Sequence, residues 1–176
     1  THGLINCFIC GGGTGGTLAG VSKYLKRKDP NIEIVVADPE GSGLFNKVKF
    51  GVLFTNQEKE GHRLKNPFDT VVEGVGLNRV TRNLEQAQID DAFKVSDQEV
   101  LHMAHYLVEN EGLFVGGSTA MNLVAVVKYG RQRGRKNVVT IAHDSGIRYL
   151  KKLYSEEYLR EKGIGFLKRD SYKSED

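Results

Sequence analysis

Residues 11–17 read Gly-Gly-Gly-Thr-Gly-Gly-Thr, with five glycines in the first six positions. Glycine lets a backbone approach a ligand closely. A helix that follows such a loop adds unpaired N–H groups and a partial positive charge, which suit an anion. Thr14 and Thr17 add hydroxyl donors. The chemistry is that of a phosphate cradle. Two further stretches join small or hydroxyl residues to a helix start, Gly116 to Thr119 and His143 to Gly146.

Three readings of the loop compete. It fails as a Walker A loop, because no Lys follows the last Gly. It passes literally as a dinucleotide fingerprint, Gly11-x-Gly13-x-x-Gly16, with Asp38 about 20 residues on where an acid would meet a ribose. As a bare turn without a ligand, five glycines would carry a large entropy cost on folding.

Cys7 and Cys10 form a CxxC, the spacing of a redox pair or half a zinc site. They lie inside the apolar run Leu4 to Cys10, which reads as a strand. Residues three apart on a strand point to opposite faces, so the sulfurs should not meet. No second Cys pair completes a zinc site, and no metal ligand set is assigned. Two buried thiols suit a reducing, intracellular compartment.

The elements that would position the loop follow from periodicity. Leu18, Val21 and Leu25 give Thr17 to Lys28 a helical face, which Asp29-Pro30-Asn31 ends. Ile32 to Ala37 reads as a second strand, completing a right-handed β-α-β unit. Glu40 to Asn83 has little periodicity and six glycines, the last at Gly61, Gly74 and Gly76. A short helix at Asn46 to Lys49 and a short strand at Thr70 to Val72 are expected within it. Asp91 to Val95 reads as a strand, and Ser96-Asp97-Gln98-Glu99 as a capping box. Val100, Leu101, Ala104, Leu107 and Val108 form the stripe of the next helix, stopped at Gly112. Ala120 to Tyr129 reads as a buried helix. Asn137 to Ala142 reads as a third clear strand, and Ile147 to Lys162 as one or two helices before a polar tail of ten residues. Strands alternating with helices predict an α/β fold with an open parallel sheet covered on both faces.

The 176 residues suffice for one domain with a core. A net charge of +3, with basic and acidic residues mixed as in Lys59-Glu60, argues against nucleic acid. No stretch reaches the roughly 18 to 20 continuous apolar residues of a membrane span. Thr1-His2-Gly3 runs almost at once into a strand, so a piece of a longer protein is expected.

Five ordered segments carry a family resemblance: Gly13 to Gly20 (GTGGTLAG), Ala37 to Ser42 (ADPEGS), Val72 to Gly76 (VEGVG), Glu111 to Ala120 (EGLFVGGSTA) and Asp144 to Tyr149 (DSGIRY). Together they resemble the fold-type II pyridoxal-phosphate enzymes of the cysteine synthase and cystathionine β-synthase group. Gly41 to Phe45 and Asn78 to Asn83 are most similar to a subgroup of bacterial and fungal mitochondrial cysteine synthases. The resemblance implies that Gly13, Thr14, Gly15, Gly16 and Thr17 hold the cofactor phosphate. It implies that Ser145 meets the pyridine nitrogen and that Gly74 lies near the ring in a closing segment. For Ser145 a helix cap, and for Gly74 a plain turn, are the structural alternatives. Gly116, Gly117 and Ser118 read as a turn and cap beneath the site, and Asp38 as a strand-end residue.

The family's Schiff-base Lys and its substrate-carboxylate loop lie N-terminal of the phosphate loop, outside this sequence, so no catalytic residue is named. The resemblance implies the C-terminal portion of a β-replacement enzyme in cysteine biosynthesis, converting an activated serine and sulfide to cysteine. Residues 1–155 would be the cofactor-binding portion and 156–176 a helix end and tail. The expected partners are an amino-acid substrate, the N-terminal segment of the same enzyme and a second copy in a homodimer. The compartment is expected to be cytoplasmic or mitochondrial. Alternatives are cystathionine β-synthase or serine dehydratase activity, a non-catalytic pseudoenzyme, or a dinucleotide-binding domain. The chain alone is expected to be inactive and to aggregate through an exposed sheet edge.

Overall fold

The computed structural model describes residues 4–55, 70–76, 79–134 and 136–165. The Lys59-Glu60 pair, Gly61, Asn78, Thr1 to Gly3 and the ten-residue tail lie outside them. Four parallel strands form one sheet in the order β3-β2-β1-β4, with β1 at Cys7–Gly11, β2 at Glu33–Pro39, β3 at Asp91–Val95 and β4 at Val138–Thr140.

Alternation along β1 divides the core. Cys7 and Ile9 face one layer with Val35, Phe93, Leu101, Met121 and Tyr129. Phe8 and Cys10 face the other with Leu18, Ile34, Leu44 and Leu84. The two thiols therefore point to opposite faces, as a spacing of three on a strand requires. The first layer is covered by α4 (Asp97–Glu111) and α5 (Gly117–Arg133), the second by α1 (Gly16–Lys28), α2 (Leu44–Phe50) and α3 (Arg82–Glu85). Tyr149 and Leu153 also join the first layer, as does Leu159 on α6 (Glu156–Glu161).

The chain after β1 passes to one face and the chain after β4 to the other. β1 and β4 are neighbours, so the sheet has a topological switch point between them, where ligands of open α/β sheets bind. The Gly11–Thr17 loop and the His143–Tyr149 loop both leave from it.

Local signals held where they had a backbone mechanism. Ser96 and Glu99 make both bonds of the capping box, and Gly112 closes α4 at φ 66°. Three expectations differ. Thr70 to Val72 bends and pairs with no strand among the described residues, because Asp97 takes its polar groups: Thr70 Oγ1 donates to Oδ1, and the Val71 N–H to Oδ2 at 3.0 Å. Val108 is 39 % exposed, because it has turned off the buried stripe of α4. β4 is shorter than 137–142, since only Val138–Thr140 pair with β1.

Candidate functional site

β1 delivers its last residue to a buried amide. The Gly11 N–H donates to Asn122 Oδ1 on α5 at 2.8 Å. Gly13 must lack a side chain, because a Cβ there would run into the Gly74 carbonyl oxygen. Gly15 sits at φ 82°, ψ 0°, and a Cβ would lie 2.8 Å from the Leu84 backbone. Protein packing does not impose a glycine at Gly16. A Cβ there would meet nothing nearer than Asn83 Nδ2 at 3.7 Å.

Gly16 opens α1, whose start carries no side-chain cap and no acid in the first turn. First-turn N–H groups of a helix have no intrahelical acceptor, so this end offers donors and a positive dipole. A cleft of about 340 Å³ opens here. One wall is Gly13 to Leu18, a second is Glu73 to Val75, and a third is Ser118 with His143, Asp144 and Tyr149. Gly74 is at φ 77°, which only glycine adopts freely. Glu73 would repel an anion, but Lys152 pairs with it.

The third wall rests on two clusters. Asn122 is fully buried, and its Nδ2 donates to the Ile141 carbonyl at 3.2 Å. With Oδ1 bound to the Gly11 N–H, the amide's orientation is fixed. The same Nδ2 lies 3.3 Å from His143 Nε2 and can donate its second hydrogen there. Cys10 Sγ is 3.8 Å from that nitrogen, and burial pushes its thiol up to about 11. In the second cluster Tyr149 donates its hydroxyl to Asp144 Oδ2 at 2.8 Å. Burial first, and that bond second, push the Tyr149 phenol up to about 12. Asp144 Oδ1 is buried without a hydrogen-bond partner and packs on Gly116, where a Cβ would collide with it.

Gly13 to Thr17 and Gly74 line one cleft. Ser145 stands beside it, exposed; its Oγ accepts the Ile147 N–H at 3.3 Å as the cap of the 3₁₀ turn Gly146–Tyr149. Its backbone bridges to Val115. Sequence reasoning marked the segments that hold His143 and Tyr149 without giving either side chain a role, and it missed Asn122. Asn122 had a usable signal: an amide in an otherwise apolar helix needs buried partners. Among the described residues, no lysine lines the cleft. Asp38 is fully buried, and its Oδ2 accepts the Phe45 N–H and pairs with Lys94, both at 2.8 Å; Oδ1 has no hydrogen-bond partner but is buried as well, so no ribose reaches the carboxylate.

A family model described as pyridoxal-phosphate dependent enzyme matches residues 1–144. The chain belongs to this family. Within the pyridoxal-phosphate dependent enzymes, it is 50 % identical over 165 residues to cysteine synthase 2 of Schizosaccharomyces pombe, covering 92 % of this chain and 42 % of that protein. It is 34 % identical to cystathionine beta-synthase of Saccharomyces cerevisiae, over 91 % of this chain and 30 % of that protein. A crystal structure of O-acetylserine dependent cystathionine beta-synthase from Helicobacter pylori superposes with a TM-score of 0.67 at 30 % identity, covering 85 % of this chain and 44 % of that one. The chain thus spans less than half the length of these relatives. The open parallel α/β sheet is that of a fold-type II pyridoxal-phosphate enzyme.

The donor set fits the family's cofactor. An uncapped helix start and two threonine hydroxyls suit a phosphate monoester, and of the two lining acids Glu73 is paired with Lys152 while Asp144 accepts the Tyr149 hydroxyl. The cleft volume falls within the roughly 300–1,000 Å³ of small-ligand sites. Among the described residues, no group of His, Cys, Asp and Glu could hold a metal ion, and no helix is long and apolar enough to cross a membrane.

Proposed function

We propose that the protein carrying this chain makes cysteine from an activated serine, such as O-acetylserine, and sulfide, releasing the β-substituent (acetate in that case). The observation that carries this is the 50 % identity to a cysteine synthase across 92 % of the chain. Bound pyridoxal phosphate supplies an electron sink at the amino acid's α-carbon. Residues 1–155 form the cofactor-binding portion, and 156–176 the helix end and tail.

Gly13, Thr14, Gly15, Gly16 and Thr17 hold the phosphate through backbone N–H groups and the two hydroxyls. The α1 dipole favours that charge. Ser145 meets the pyridine nitrogen with a neutral hydroxyl, which leaves that nitrogen largely unprotonated and favours β-replacement over transamination. Its Oγ accepts the Ile147 N–H, which leaves the hydroxyl hydrogen free to donate to that nitrogen. Gly74, at positive φ above the loop, lets the 73–76 segment close over the ring. The group that moves the α-proton belongs to the rest of the parent enzyme, and no residue of this chain is assigned that role. The enzyme works as a homodimer in the cytoplasm or mitochondria.

A second reading, cystathionine synthesis, is favoured by the likeness to the O-acetylserine dependent Helicobacter pylori enzyme. Assay of the full-length protein separates the two. Cysteine formed from O-acetylserine and sulfide, with a visible absorbance band on adding pyridoxal phosphate, is expected. Turnover with homocysteine and not sulfide would replace the first reading by the second. No band with pyridoxal phosphate would overturn both.

A further inference from the structure

The stretch Asn78 to Asn83 resembles a subgroup signature, yet the cofactor-binding roles above do not use it. In the structure it braces the glycine loop. Thr81 Oγ1 donates to the Thr14 carbonyl at 2.6 Å and accepts the Leu84 N–H at 3.2 Å as the cap of α3. A hydroxyl can accept and donate at one atom in this way. One turn on, the Leu84 backbone packs against Gly15 so tightly that a Cβ would not fit.

The consequence concerns one peptide plane. Gly15 sits in the left-handed region, at φ 82° and ψ 0°. The peptide before it joins Thr14 to Gly15. Rotating that peptide by half a turn carries Gly15 toward negative φ, which glycine also permits. In a planar trans peptide the C=O and N–H point in opposite directions. A flip would therefore turn the Thr14 carbonyl to where the Gly15 N–H now points, exchanging a donor for an acceptor in the loop that lines the cleft.

We infer that Thr81 is a positioning residue of the phosphate loop: its hydroxyl holds the Thr14 carbonyl toward α3 and so keeps the Gly15 N–H available to an anionic ligand. The inference rests on the proposed phosphate role of residues 13–17.

The test compares pyridoxal phosphate with pyridoxal, which lacks the phosphate, on the full-length protein and two variants. Wild type should bind pyridoxal phosphate far more tightly than pyridoxal. Thr81→Val removes both bonds of the hydroxyl while keeping the β-branched shape; Thr81→Ser keeps both. Thr81→Val should lower pyridoxal phosphate affinity about tenfold, one hydrogen bond to a charged group, with pyridoxal affinity nearly unchanged. Thr81→Ser should keep the wild-type ratio. A general loss of α3 would weaken both ligands together, and that outcome overturns the inference. So does a wild-type ratio in Thr81→Val. Equal affinity of wild type for the two ligands would overturn the phosphate reading itself, and this inference with it. If Thr81→Val does not fold, Thr81→Ala takes its place with the same expected ratio.

Discussion

At the residue scale, Gly15 and Gly16 separate two reasons for a glycine. Gly15 is needed by the protein: positive φ and the Leu84 backbone both forbid a side chain. Gly15→Ala should cost about 2 kcal/mol or more of stability. Gly16 has ordinary room around its Cα, and it is the first residue of α1. Gly16→Ala should therefore raise the stability of the cofactor-free protein by up to about 1 kcal/mol, while weakening pyridoxal phosphate at least several-fold. Denaturant unfolding and cofactor titration read the pair. A Gly16→Ala protein that binds the cofactor as wild type would mean the cup lies elsewhere. The five-glycine run was legible in the sequence as a loop between a strand and a helix start, but which glycine serves packing was not. That depends on Gly74 and Leu84, which lie roughly 60 and 70 residues away along the chain.

At the element scale, charge ties the sheet to helices on both faces. Asp91, at the start of β3, pairs with Lys49 of α2 and with Arg133 of α5 at 3.1 Å. Burial alone would raise its carboxyl, but bonds from Lys49, the Ala92 N–H and Arg133 outweigh that and hold it below its usual value. A carboxyl held low in the fold stabilises it at neutral pH and loses that contribution as pH falls through the folded value. The loss therefore lies below about pH 4. Asp91→Asn should cost about 1–2 kcal/mol at neutral pH. Its side chain is only 10 % exposed, which lifts the value above an exposed pair, while Lys49 and Arg133 at 35 % and 45 % hold it below a buried one. The variant should also show a shallower fall of Tm with acid than wild type. Parallel acid limbs would remove Asp91 from the account. Strands and long helices were legible because period and caps are local. The Thr70 to Val72 bend was not, because its backbone is claimed by Asp97, more than twenty residues on.

At the scale of the whole molecule, the strand order places the site. β1 and β4 adjoin, their outgoing chains part to opposite faces, and the Gly11–Thr17 loop and the Ser145 loop meet at the resulting crevice. The sequence marked both loops but not their meeting, since adjacency of β1 and β4 is set by more than a hundred residues of intervening chain. Asn122 joins the two strand ends through the Gly11 N–H and the Ile141 carbonyl. The central claim is that this crevice holds a phosphate monoester at the start of α1. The most direct measurement is the phosphorus-31 resonance of pyridoxal phosphate on the full-length protein, followed from about pH 5 to about pH 8, across the phosphate's second ionisation at about 6. A phosphate held by the loop should give a resonance that stays fixed across the range. A resonance that titrates like the free cofactor would contradict the account.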